Sequence, residues 1–266
     1  MMNKNMFTRE ILNKGEMHIY NFGHIKLHAY KTNDLLDNEV FIVEKDGTAV
    51  IIESPCFFDN NRELEAYIKK SNLTPAGMLL AYHMAGSTFL QDVKKYATKN
   101  ADEYGHIGGG AALVQGFTAA FGKTFDAGVH TVTDYLDAGK TVIGGIEFII
   151  TPTQDAFDIE IPEINLVYTH MLGHDCHSII AGTEHADSII AQLQDYVAKG
   201  FTLILTSHYT PEDLKDAETK IAYIQTLQSI AKNCRTAEEF KRAVKEKYSR
   251  YSGENYLDMT SSFFFH

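Results

Sequence analysis

Only three cysteines occur in the 266 residues: Cys56, Cys176 and Cys234. They are far apart, odd in number and form no Cys-x-x-Cys pair, which argues against a disulfide framework and a thiolate zinc site. Positive charge is also scarce. Lys and Arg total 24 against 35 Asp and Glu, a formal charge of −11. Such a surface repels nucleic acid and anionic membrane, so neither is expected as a partner. The basic run Lys241, Arg242, Lys245 and Lys247 is interleaved with Glu238, Glu239 and Glu246, the pattern of a solvated helix face. No apolar run approaches the ~20 residues that span a bilayer. Met1 to Glu16 lacks the apolar centre of a secretion signal. A soluble protein of the cytoplasm is the expectation. No Pro/Ser-rich linker interrupts the chain, so one domain is expected over 1–266, with 211–266 as a C-terminal helical extension. The Gly-rich stretch Gly105 to Gly110 has no Walker Lys-Ser/Thr and no G-x-G-x-x-G after a strand. It reads as turns or close backbone packing.

What is present is a regular alternation of short apolar runs and amphipathic segments. His18 to Phe22, Ile25 to Tyr30 and Glu39 to Glu44 read as strands. Asp46-Gly47 predicts a tight hairpin from Val40–Val43 into Ala49–Ile52, which Pro55 ends. Asn61 to Ser71 predicts a helix with Leu64, Tyr67 and Ile68 on one face. Met78 to Tyr82 reads as a buried strand and Thr88 to Thr98 as a helix. In the second half, Thr141–Ile143, Glu147–Ile150, Glu160–Ile161, Asn165–Thr169 and Phe201–Thr206 read as strands. Asp187–Lys199, Pro211–Ala231 and Thr236–Tyr248 read as helices, the last opened by a Thr236/Glu239 capping box. Strands then helix in each half suit two packed sheets with helices outside, and the halves are expected to meet near residues 120–145. The terminal Phe263-Phe264-Phe265 run suits packing on the body of the fold or on a second subunit, which would make a homodimer.

Polar or imidazole groups stand just past apolar strands at four places, where α/β folds put their sites. These are Tyr82-His83, the segment Thr151 to Asp155, the segment Tyr168 to His177, and Ser207-His208. The third is densest, with His170, His174, His177 and Asp175 inside eight residues. Imidazole and carboxylate are the usual ligands of zinc, iron or manganese. The same histidines also suit capping of a strand end, and His83 or His208 alone would ordinarily be a satisfied histidine.

The order of these segments resembles the metallo-β-lactamase superfamily. Asn38 to Val43, Asp46-Gly47 and Val50-Ile51-Ile52-Glu53-Ser54 resemble its opening strands, with Glu53 for an Asp and Pro55 for a Gly. Leu79 to Thr88 stands where the family has Thr-His-x-His-x-Asp-His, with His83 surviving in one of two registers. Pro152-Thr153-Gln154 resembles Pro-Gly-His, Tyr168-Thr169-His170-Met171 resembles Thr-Gly-Asp, and Ser207-His208 resembles the closing Gly-His. The resemblance implies a four-layer αββα sandwich and hydrolysis of a small molecule. The substitutions imply that the family's dinuclear site is largely lost, because Met, Ala, Gly and Gln cannot replace carboxylate and imidazole for a hard or borderline cation.

The expected ligand set is therefore His83 and His208, completed from His170, His174, Asp175 or His177. It would hold one zinc, iron or manganese ion at most, or none. Glu53 would orient a ligand. In a metal-free alternative, Tyr82, His83, Asp155 and His170 would carry acid–base work. The rival class is a non-catalytic protein that uses the same cleft to bind a small ligand.

Overall fold

A computed structural model describes residues 4–170 and 172–265. Two compact units divide the chain: Met1–His170 with Leu205–Pro211, and Met171–Ile204 with Glu212–His266.

The first unit opens with a mixed sheet in sequence order: β1 (Thr8–Ile11), β2 (Glu16–Asn21), β3 (Ile25–Lys31), β4 (Glu39–Lys45), β5 (Thr48–Ile52), β6 (Thr74–Leu79), β7 (Lys95–Ala97) and β8 (Asp134–Tyr135). Asp46 and Gly47 both take positive φ (51° and 78°), the two-residue turn that keeps β4 and β5 antiparallel. From β5 onward the pairings are parallel. The β5–β6 connection carries α1 (Phe58–Lys70), which buries Leu64, Tyr67 and Ile68. Strand alternation sorts β3 into two faces. Tyr30 and His28 meet α1 through Glu63 and the Tyr67 hydroxyl (both 2.7 Å), while Ile25, Leu27 and Ala29 line the opposite, fully buried face.

The second sheet begins directly after the first ends. It comprises β9 (Gly139–Ile143), β10 (Ile146–Pro152), β11 (Phe157–Ile161), β12 (Leu166–Thr169), β13 (Leu203–Thr206) and β14 (Tyr209–Glu212), in the order β14-β13-β12-β11-β10-β9. The passage from Tyr135 to Gly139 falls inside the expected meeting point of the halves. Phe41 of β4 and Tyr168 of β12 meet edge to face at 6.1 Å in the core between the sheets.

Thr88 to Thr98 is not a helix. It is a turn followed by β7, because Leu90 adopts a left-handed φ of 46° and the Lys95 ammonium binds back to the carbonyls of Leu90 and Gln91 (2.6 and 2.7 Å). The Gly-rich stretch separates α2 (Lys99–His106) from α3 (Gly109–Phe121). Its glycines permit close packing: a Cβ on Gly108, Gly109 or Gly110 would lie within 3 Å of Tyr104.

The second unit contains α4 (Gly182–Lys199), α5 (Leu214–Asn233), α6 (Ala237–Lys247) and α7 (Glu254–Phe264). Its apolar centre includes Tyr223, Leu227, Phe240 and Leu257, and Phe264 and Phe265 close on Phe240 at 5.7 and 5.6 Å. Thr236 caps α6 by accepting from Glu239 N, but the Glu239 carboxylate returns to Arg235 N, so only half of the expected box forms. The reciprocal box is made by Asp213 and Asp216 at the start of α5.

Candidate active site

Four strand ends of the first unit supply the site. Glu53 follows β5, Tyr82 and His83 lie just beyond β6, His170 follows β12, and Ser207-His208 follows β13. The chain is locked at each of these points. Glu53 takes a left-handed φ of 68°, and its buried carboxylate accepts from the backbone N–H groups of Tyr82 (2.9 Å) and His83 (2.8 Å). The Tyr168 hydroxyl donates to the same carboxylate and lies 2.5 Å from Ser207 Oγ. Ser207 N–H donates to the His170 carbonyl at 3.0 Å. Sequence reasoning gave Glu53 the task of orienting an imidazole. It holds the backbone that carries His83 instead.

This framework brings His83, His170 and His208 together. Their ring centroids lie 4.9 to 5.4 Å apart, and one nitrogen of each lies within 4.8 Å of those of the other two. His208 Nδ1–H donates to the Leu36 carbonyl at 3.1 Å, which leaves Nε2 as its lone-pair nitrogen. His83 Nδ1 is buried and has no hydrogen-bond partner among the described residues. Tyr82 stacks on His170 at 4.2 Å and 10°.

The electrostatics favour neutral rings. Burial pushes His83 and His208 down to about 4, with the neighbouring His83 adding to the effect on His208. His170 falls well below the ordinary imidazole range through burial and its two histidine neighbours. Burial raises the Tyr82 phenol above its ordinary value, so it stays protonated. Imidazoles pushed toward the neutral form are good metal ligands and weak general bases, which favours the metal-dependent reading over metal-free acid–base work. The donor set fits one nitrogen-preferring divalent ion such as zinc, with a coordination position left over. It contains no carboxylate to bridge to a second ion. Met171, considered in place of the family's bridging Asp, lies outside the described residues.

The other sequence candidates go elsewhere. Asp155 is exposed in the turn between β10 and β11 and does not line the cleft. His174, Asp175 and His177 belong to the second unit. There His174 Nδ1 meets Glu212 at 2.6 Å, Asp175 is exposed, and buried His177 pairs with the Tyr223 hydroxyl at 2.7 Å.

A cleft opens over the three imidazoles. Its walls include Tyr104 and the α3 residues Leu113, Val114 and Phe117, none of which sequence reasoning selected. The only signal for the three α3 residues was the uncharged run from Ile107 to Gly122.

No protein-family model matches the sequence, and no curated protein matches it. Solved structures do. The inverting sec-alkylsulfatase from Pseudomonas sp. superposes with a TM-score of 0.60 at 12% identity, over 92% of this chain and 49% of its own. The chain thus spans about half the length of that enzyme. A metallo-β-lactamase family protein from Thermus thermophilus gives 0.60 at 13% identity, over 91% of both chains. A metallo-β-lactamase from Erythrobacter litoralis gives 0.55 at 10%, over 82% of this chain and 100% of its own. Identities this low carry the fold and nothing finer. The chain has the metallo-β-lactamase fold, an α/β sandwich of two sheets and helices. Among the described residues no helix is long and apolar enough to cross a membrane.

Proposed function

We propose that this chain, built on the metallo-β-lactamase fold, is a hydrolase of small molecules that uses one divalent metal ion where its structural relatives' superfamily typically uses two. The observation that carries the reading is the convergence of His83, His170 and His208 within 4.8 Å, with a buried His83 nitrogen that no group among the described residues satisfies. These three residues hold the ion. An ion there supplies Lewis acidity at neutral pH, the property that hydrolysis of an ester, lactone or thioester requires. Glu53 positions the His83 segment, and Tyr82 fixes the plane of His170 by stacking. The three cysteines are free, which supports a reducing, cytoplasmic setting.

A second reading is a binding protein without turnover. It is favoured by the absence of any Asp, Glu, Lys or Arg among the described residues lining the cleft, since no carboxylate or amine is then at hand for acid–base work.

Elemental analysis of protein purified without chelator, paired with turnover of an ester, lactone, thioester and phosphodiester panel, tests both readings. One equivalent of zinc, iron or manganese per chain, removed together with activity by chelation, is expected. Two equivalents would overturn the mononuclear site. One equivalent with no turnover across the panel would leave the binding protein.

A further inference from the structure

The lining of the cleft is mostly apolar. Beside the three imidazoles and the polar groups of Asn38, Cys56, Tyr82 and Tyr104, it is formed by Leu36, Met84, Leu113, Val114, Phe117 and Phe125. Helix α3 forms part of this wall. It has no charged residue, and Leu113, Val114 and Phe117 fall on one face at i, i+1 and i+4. Phe117 is fixed against Phe125 (5.9 Å) and Phe121 (5.7 Å), so the wall is a packed aromatic surface. Yet Gly110 is the only buried residue of α3, and Leu113 is 52% exposed. An apolar helix face kept this open loses the burial that would ordinarily stabilise it.

Apart from the ion proposed at the three histidines, no carboxylate, ammonium or guanidinium group lines the cleft among the described residues. An anionic or cationic substrate arm would be desolvated there without a counter-charge, a penalty of several kcal/mol. A hydrocarbon arm would instead gain about 0.8 kcal/mol per methylene buried.

We infer that the cleft takes a neutral substrate with an apolar alkyl or aryl arm, which lies against the Leu113–Val114–Phe117 face of α3 while its polar group rests at the three imidazoles. The inference deepens the hydrolase reading and rests on it only for the placement of the polar group. Phe117 and Leu113 are the residues that set which arms fit.

The test measures binding without turnover. Straight-chain methyl ketones of increasing length are titrated calorimetrically into the metal-free and the zinc-loaded protein, beside carboxylates of matched length. The expected affinity rises up to about fourfold per methylene, and the matched carboxylates bind the metal-free protein at least tenfold more weakly than the ketones. Phe117→Asp is expected to abolish binding of the longer ketones. Because that variant can also disturb folding, Leu113→Asp at the half-exposed position is the second arm. It is expected to keep the wild-type melting temperature and to lose at least fivefold in affinity for long ketones, with the shortest ketone unchanged. A flat dependence on chain length, equal binding of carboxylates to the metal-free protein, or no effect of Leu113→Asp would overturn the inference. Chain-length-dependent binding without hydrolysis of any panel substrate would sink the hydrolase reading alone. Hydrolysis of short esters with no chain-length dependence would sink this inference alone.

Discussion

Two groups of histidines, one in each unit, are held in opposite ways. In the first, His83, His170 and His208 face one another with no carboxylate among them, and burial lowers the affinity of each ring for a proton. In the second, His174 meets Glu212, buried and fixed by the N–H groups of Gly173 and His174 (both 2.8 Å). Asp216 lies 3.5 Å from the same imidazole nitrogen. That hydrogen bond to Glu212 raises His174 above its ordinary value. The first set is pushed toward the neutral form and the second toward the protonated one. His174, Glu212 and Asp216 also lie close enough to surround an ion. However, Glu212 already accepts from three donors, and Asp216 Oδ2 accepts from Asp213 N at 3.0 Å in the helix cap. The group reads as an ion-pair network. A carboxylate beside the ring is not enough to set the direction: buried His28 bonds Glu44 at 2.9 Å and is still pushed down by burial.

The comparison breaks most visibly if the wrong histidine matters for metal. His83→Ala or His208→Ala should weaken zinc binding by more than the roughly 100-fold that loss of a ligand's hydrogen-bond partner can reach. His174→Ala should leave it within about twofold, since that residue is not a ligand. Competition with a chromophoric chelator reads both, and a large loss in the His174 variant would reverse the assignment.

A smaller effect is expected at Glu53. Its carboxylate accepts three hydrogen bonds in a fully buried position. In Glu53→Gln an amide NH₂ would face one of those donors, at a cost of about 1–3 kcal/mol. Denaturant unfolding of the metal-free protein should show this loss, and stability equal to wild type would mean that the carboxylate is not the clamp described.

The smallest effect sharpens the contrast through pH. His174 has a folded-state pKa above its unfolded value. Its contribution is therefore fully present below the unfolded pKa and fades as pH rises through the raised folded one. The side chain is 28% exposed, so about 0.2–1 kcal/mol is at stake. The stability difference between wild type and His174→Gln should be larger at about pH 6 than at about pH 9. A difference that grows with pH would contradict the ion pair.

Much of the fold could be read from local signals. Asp46-Gly47 announced its turn, and the spacing of Leu64, Tyr67 and Ile68 announced the buried face of α1. The site was legible wherever a histidine followed a buried strand, as His83, His170 and His208 do. Density of imidazole was a poorer guide. His174 and His177 sit beside His170 in sequence, but their partners Glu212 and Tyr223 are 38 and 46 residues away, and those partners decide their states. Helix α3 was missed because it has neither charge periodicity nor a capping side chain. The turn at Leu90 was missed because a left-handed leucine has no sequence signature.

The chain of bonds through Glu53, Tyr168 and Ser207 touches the backbone of every segment that carries a site histidine. Its consequence is entropic. Ordering three loop residues from distant parts of a chain costs roughly 1–2 kcal/mol of backbone freedom for each. Here that ordering is accomplished as the sheets form, before any ligand arrives. The imidazoles are preorganised, so the free energy of a bound ion or substrate is not consumed in assembling its own site.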